Sequence, residues 1–285
     1  MRGELIRERL HNGERVYGTH VCSLTNPKTA QIQATLEYDF VFVCNEHMPI
    51  DRTETAMICQ FYAAHGISPV VRIPSVDPGA AAMALDGGAQ GIVVPYLETV
   101  QEAKAMVGAV KYRPIKGQML RDILSGSRKP KQATIEFLNR FNRDHYLIIG
   151  VESVAAYENL DALLAVDGVD GVFMGPHDLT VSLEVPEQYD HPAFRRLVVD
   201  IVRRCRAANK GVGIHYSQRT PIERWHELLD EGMNWILYGA DIVAVTTGIS
   251  RDLEAFRTRM GDAYTTDATT PTQPSSCLDL GLTEG

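Results

Sequence analysis

The sequence predicts an all-parallel (β/α)8 barrel, an α/β fold, and three observations carry that prediction. After an opening helix, eight apolar runs of strand length alternate with eight helical patterns, as parallel strands joined by helices require. The run Leu147–Val151 carries no polar side chain, which is the pattern of a strand buried on both faces. The chain has 285 residues and 45% hydrophobic content, enough for one barrel-sized core without a second domain.

Residues 1–18, MRGELIRERLHNGERVYG, read as a charged helix. The first strand, Val16–Val21, leads to a helix over Thr29–Leu36, and the second, Phe40–Cys44, to a helix over Thr53–Ala64. The third, Pro69–Ile73, precedes a helix over Pro78–Asp86 with proline at its first turn and Gly87 after its end, the usual helix punctuation. The fourth, Gly91–Pro95, leads to Thr99–Val110. Tyr112–Arg143 then interrupts the alternation, and its Arg and Lys residues and Gly126 mark an excursion with a short helix of its own. Long loops on barrels usually serve a site or a subunit contact.

The fifth strand, Leu147–Val151, ends on Glu152 and is followed by a helix over Tyr157–Ala165, with Tyr157, Leu160, Leu163 and Leu164 at helical spacing. Beyond the turn residues Asp167 and Gly168, the sixth strand, Val169–Met174, runs into Gly175-Pro176-His177-Asp178. A helix over Pro192–Ala208, the strand Val212–His215, a helix over Pro221–Asp230, the strand Trp235–Leu237 and a helix over Gly248–Arg259 complete the order. Residues 1–260 therefore read as one catalytic barrel. Residues 261–285, rich in Thr, Ser, Pro and Gly, read as a disordered tail.

A net charge of −8 and a pI near 5.6 argue against a nucleic-acid surface. No stretch approaches the roughly 18 apolar residues of a membrane span. The N-terminus lacks the apolar core of a signal peptide, and five cysteines without CxxC spacing suit reduced thiols, so a cytoplasmic protein acting on a small molecule is expected.

Barrel enzymes build their sites at the C-terminal ends of the strands, and the residues there are chemically coherent. Glu152 and Asp178 leave the same end of two successive strands. Parallel neighbours lie about 4.8 Å apart, so both carboxylates can reach one point above the sheet. Singly, Glu152 reads equally well as a cap of the next helix and Asp178 as part of a GPxD turn; as a pair they suit a hard divalent cation. Mg²⁺ takes roughly six oxygen ligands, which leaves room for a chelating substrate. Arg72, in PVVRIP, is a charge inside an apolar strand, placed either for an oxyanion or for an ion pair with Glu46 or another carboxylate. His47, in CNEHMP, is a base at neutral pH. His215 reads as a core histidine, and His20, His65 and His177 as structural.

These groups permit chemistry on a 2-oxo acid. As a bond beta to the carbonyl breaks, charge grows on the keto oxygen, and one preorganised donor there is worth about 3 kcal/mol. The competing imine route needs a lysine at a strand end. Lys28, Lys104, Lys111, Lys116, Lys129, Lys131 and Lys210 all fall elsewhere, so that route is disfavoured.

The chain resembles the HpcH/HpaI aldolases over about residues 4–260. The resemblance rests on Glu46-His47, VVRIP around Arg72, LDGGAQGIVVP from Leu85 to Pro95, VESVAA from Val151 and VDGVFMGPHDLT from Val169. It implies a metal-dependent (class II) aldehyde-lyase that cleaves a 4-hydroxy-2-oxo acid to pyruvate and an aldehyde through a metal-stabilised enolate. Glu152 and Asp178 would bind Mg²⁺ or Mn²⁺, with Co²⁺ also admissible, and Arg72 would contact pyruvate or its enolate. His47 would be the acid/base residue, assisted by an aspartate matching Asp86, and Gly175-Pro176 would seat the pyruvate carboxylate. A homo-oligomer, a hexamer or trimer of dimers, is implied, with the C-terminal helix exchanged between subunits.

The chain departs from the family pattern at Cys44, where Asp is common, at Gly150, where Gln is common, in KYRPIKGQ from Lys111 to Gln118, and at Glu184. The alternative enzyme class is a lyase or synthase acting on an acyl-CoA or a citrate-like acid through the same site, and a keto-acid-binding barrel without turnover is a third.

Overall fold

A computed structural model describes residues 2–216 and 220–262. The expected tail, 261–285, lies outside the described residues from 263 onward. Eight strands form one parallel sheet: β1 (Val16–Val21), β2 (Phe40–Cys44), β3 (Ser68–Arg72), β4 (Gly91–Val94), β5 (Tyr146–Val151), β6 (Gly171–Met174), β7 (Gly211–Ile214) and β8 (Trp235–Ala240). They pair in sequence order, and β8 returns to pair with β1.

The barrel is nearly closed. Its seam lies between β7 and β8, where Asn234 replaces a ladder: its N–H donates to Val212 O, and its Oδ1 accepts from Val212 N, each at 3.1 Å. A Cβ on Gly213 would lie 2.2 Å from Trp235 O, so only glycine permits this approach.

The helices are α1 (Gly3–Asn12), α2 (Pro27–Gln33, continued by a 3₁₀ turn over Ala34–Leu36), α3 (Arg52–Ala64), α4 (Pro78–Asp86), α5 (Val100–Lys111), α6 (Gly117–Leu124) and α7 (Gln132–Phe141). After β5 come α8 (Val154–Glu158), α9 (Leu160–Leu164), α10 (Pro176–Ser182), α11 (Pro192–Ala207), α12 (Ile222–Asp230) and α13 (Asp241–Met260). Three differences from the expected pattern stand out. The excursion holds two helices, not one, and Gly108 of α5 lets Leu120 and Leu124 of α6 pack close. The helix expected over 157–165 is two short ones broken at Asn159, and the last helix begins at Asp241 rather than Gly248.

Two apolar layers hold this frame. One lies between strands and helices, and the other fills the barrel with Phe40, Phe42, Val70, Tyr146, Ile148, Phe173 and Trp235. Ile6 and Leu10 of α1 join the inner layer, so the opening helix plugs the end from which the strands start. At that end Lys111 Nζ lies 2.5 Å from Asp170 Oδ2, and Asp170 also accepts from Leu147 N at 2.8 Å. The opposite end stays open for the strand C-termini. No helix among the described residues is long and apolar enough to cross a membrane.

Candidate active site

β2 and β3 run in register with Cys44 opposite Arg72, so the residues after Cys44 emerge beside the guanidinium. Arg72 Nε lies 3.0 Å from Glu46 Oε2, and Cys44 Sγ accepts from Nε at 3.3 Å and Nη2 at 3.0 Å. The Glu46 ion pair read as an alternative from the sequence is therefore present. It engages one side of the guanidinium only: Nη1 is turned toward Glu152 Oε1, at 4.0 Å and beyond hydrogen-bond reach. The Glu46 contact itself is close but poorly aligned, and Oε2 has no hydrogen-bond donor.

β5 and β6 pair with Val151 opposite Met174, which places Glu152 beside Gly175 one step on. α10 starts at Pro176, so Asp178 falls in its first turn and points back over the sheet end. A Cβ on Gly175 would lie 3.0 Å from both Glu152 Oε1 and Asp178 Oδ2. The two oxygens converge on one small space that any side chain would fill.

The electrostatics of this mouth are one-sided. Among the described residues, Glu46 and Glu152 face the Arg72 guanidinium, and Asp178 adds a third carboxylate beside Glu152. Burial lifts the Glu152 carboxyl to about 7, with Arg72 and the Tyr96 N–H opposing and Glu46 and Asp178 adding to the rise. Burial raises Glu46 as well. His47 is lowered, by burial first and then by Arg72, so its imidazole is neutral at pH 7; its Nε2 stands 3.5 Å from Glu46 Oε2. His215 and His20 pack on Phe42, and burial drives both well down, His215 to about 3. They are neutral histidines of the inner layer.

A hard divalent cation fits this donor set: two converging carboxylate oxygens, surplus negative charge and an uncluttered glycine cradle. Among the described residues no group of three or more His, Cys, Asp or Glu forms a closed cage, so such an ion would keep open positions. Among the described residues no lysine stands at a strand C-terminus; Lys111 and Lys210 donate to His145 O and Val169 O at the plugged end.

The structure thus brings together His47, Arg72, Glu152, Gly175, Pro176 and Asp178. It does not bring Asp86 to them within one chain. α4 runs back toward the start of β4, and Asp86 ends there with an exposed carboxylate paired to Arg113. Two residues at the mouth stand outside the expected site set: Glu46, read from the sequence only as a possible ion-pair partner of Arg72, and Tyr96, which the sequence did not single out. Glu46 was legible as a neighbour of His47. Tyr96 gave no signal, because it reaches the site through a backbone turn.

The HpcH/HpaI aldolase/citrate lyase family matches residues 21–247 of this chain. The chain belongs to the HpcH/HpaI aldolase/citrate lyase family. It is therefore a carbon–carbon lyase of that family. A 2-keto-3-deoxy-L-rhamnonate aldolase of Klebsiella pneumoniae is 34% identical over 250 residues, 87% of this chain and 91% of that protein. Among solved structures, an HpcH/HpaI family protein of Burkholderia cenocepacia superposes with a TM-score of 0.75 at 25% identity, over 89% of this chain and 99% of its own. The citrate synthase SbnG does so with a TM-score of 0.71 at 26% identity, over 90% and 99%.

Proposed function

We propose that this family member is a metal-dependent aldolase that reversibly cleaves a 4-hydroxy-2-oxo acid to pyruvate and an aldehyde. The observation that carries the reading is the convergence of Glu152 Oε1 and Asp178 Oδ2 over Gly175, with Arg72 Nη1 turned toward Glu152. Glu152 and Asp178 would hold Mg²⁺ or Mn²⁺. Such an ion supplies Lewis acidity at the keto oxygen of the 2-oxo acid. Gly175 and Pro176, at the uncapped start of α10, seat the substrate carboxylate. Neutral His47 takes the proton of the 4-hydroxyl. The C3–C4 bond then breaks, the aldehyde leaves, and the electron pair moves into the 2-oxo group as an enolate whose oxygen faces Arg72 Nη1. Protonation at C3 gives pyruvate.

The substrate class follows the Klebsiella relative, so 2-keto-3-deoxy-L-rhamnonate is the first compound to try. With Mn²⁺ restored to metal-stripped protein, pyruvate release followed through lactate dehydrogenase should appear, and none should appear without metal. Failure with this and related 4-hydroxy-2-oxo acids would favour the second reading, condensation or cleavage of a citrate-like acid, which the similarity to a citrate synthase supports.

The active form in this reading is a homo-oligomer with α13 exchanged. Val245, Ile249, Leu253, Phe256 and Met260 form an exposed apolar stripe on α13 at helical spacing. A groove of about 300 Å³ lined by Tyr17, Tyr38, Trp225, Ile236 and Tyr238 lies over β1 and β8, where an eighth barrel helix would otherwise pack. From its place at the plugged end, Asp86 can assist only the His47 of another copy.

A further inference from the structure

Tyr96 sits just past β4, with its side chain nearly half exposed and its backbone in the left-handed region at φ 48°. That conformation is unusual for a bulky residue and persists where its surroundings demand it. Two hydrogen bonds supply the demand. The Tyr96 N–H donates to Glu152 Oε2 at 2.8 Å, and the Tyr96 hydroxyl donates to Asp178 Oδ1 at 2.8 Å.

The choice of oxygens is the informative part. Glu152 Oε1 and Asp178 Oδ2 are the pair that converges over Gly175, whereas Tyr96 holds the other oxygen of each carboxylate. One residue therefore occupies the outward oxygen of both groups and leaves both inward oxygens presented. Gly150 makes the approach possible: a Cβ there would lie 2.7 Å from Val94 O and 3.1 Å from Pro95 Cα. Without it the turn closes onto β5, and Leu97 N donates to Gly150 O at 3.3 Å.

We infer that Tyr96 is a positioning residue that sets Glu152 and Asp178 as one-oxygen ligands of the divalent cation before the ion arrives. The inference rests on the cation-site reading above. Groups hydrogen-bonded to ligands orient them, and removing such a partner typically costs about 10- to 100-fold in metal affinity.

The test is Mn²⁺ binding to metal-stripped full-length protein, followed by the electron paramagnetic resonance signal of free Mn²⁺, for wild type, Tyr96→Phe and Asp178→Ala. Tyr96→Phe keeps the ring and the backbone N–H and removes only the bond to Asp178. It should weaken Mn²⁺ binding by about 10- to 100-fold with an unchanged thermal melt. Unchanged or tighter binding in Tyr96→Phe, alongside loss in Asp178→Ala, would overturn the role of Tyr96 and leave the cation site standing. A melt lowered in step with affinity would show a merely structural role and overturn it too. Wild-type protein that takes up no Mn²⁺ would overturn the cation site, and the Tyr96 assignment with it.

Discussion

At the scale of single residues, Asp178 and Glu152 converge over Gly175 but differ in burial. Asp178 is partly buried and accepts from the Tyr96 hydroxyl, so Asp178→Ala should abolish metal-dependent turnover while lowering stability by about 1 kcal/mol and leaving the fold intact. Unchanged turnover would contradict its ligand role. Glu152 is 2% exposed, and its carboxyl is lifted from 4.5 to about 7. Between those values the native metal-free protein keeps a proton that the unfolded chain has released, so its stability falls as pH rises through 7. The loss is on the order of 3 kcal/mol, read from urea unfolding at pH 5 and pH 8. A bound cation needs the carboxylate, so Mn²⁺ affinity should drop about tenfold per pH unit below 7. A pH-independent affinity would show that Glu152 is not a ligand. Arg72→Lys keeps the charge but loses the planar fork, and kcat should fall by about two orders of magnitude. An effect confined to thermal stability would assign Arg72 to the Glu46 pair alone. His47, Arg72, Glu152 and Asp178 were legible because a charge at the end of an apolar strand has few other reasons to be there. Tyr96 was not, since its contact depends on a left-handed turn that no side-chain pattern announces.

At the scale of elements, the two ends of the barrel carry different loads. The plugged end is held by the buried Lys111–Asp170 pair, with His11 3.3 Å from the other carboxylate oxygen. Asp170→Asn would leave the Lys111 charge without its partner and should cost about 3 kcal/mol in urea unfolding, while kcat at low denaturant stays near wild type. A cost below about 1 kcal/mol would mean that the lysine finds water or another acceptor. Most strand positions followed from apolar runs, and β1 and β2 begin and end where expected. The misplaced helix start has a physical cause. Ile242, Val243, Val245, Thr246 and Thr247 are β-branched and weaken the local helix signal. Tertiary contacts override it: Asp241, at the start of α13, accepts from Cys22 N, Ser23 N and Leu24 N and anchors that end to the loop after β1. The excursion holds one helix more than expected, and its first, α6, lays Leu120 and Leu124 against Gly108 of α5, a contact distant in sequence from the helix itself.

For the whole molecule, the apolar stripe of α13 and the groove over β1 and β8 are two halves of one expected contact. Light scattering should give a mass near six times the 31.6 kDa chain, and Leu253→Glu with Phe256→Glu should lower it. A monomeric wild type would contradict helix exchange and with it the contribution of Asp86 across subunits. The chemistry is tested most directly by proton NMR of pyruvate in D₂O with metal-stripped protein, before and after adding Mg²⁺ or Mn²⁺. The account predicts that the methyl signal fades only when the ion is present, since a site that makes the enolate needs no aldehyde to do so. A methyl signal that persists with the ion demonstrably bound would contradict the pyruvate reading.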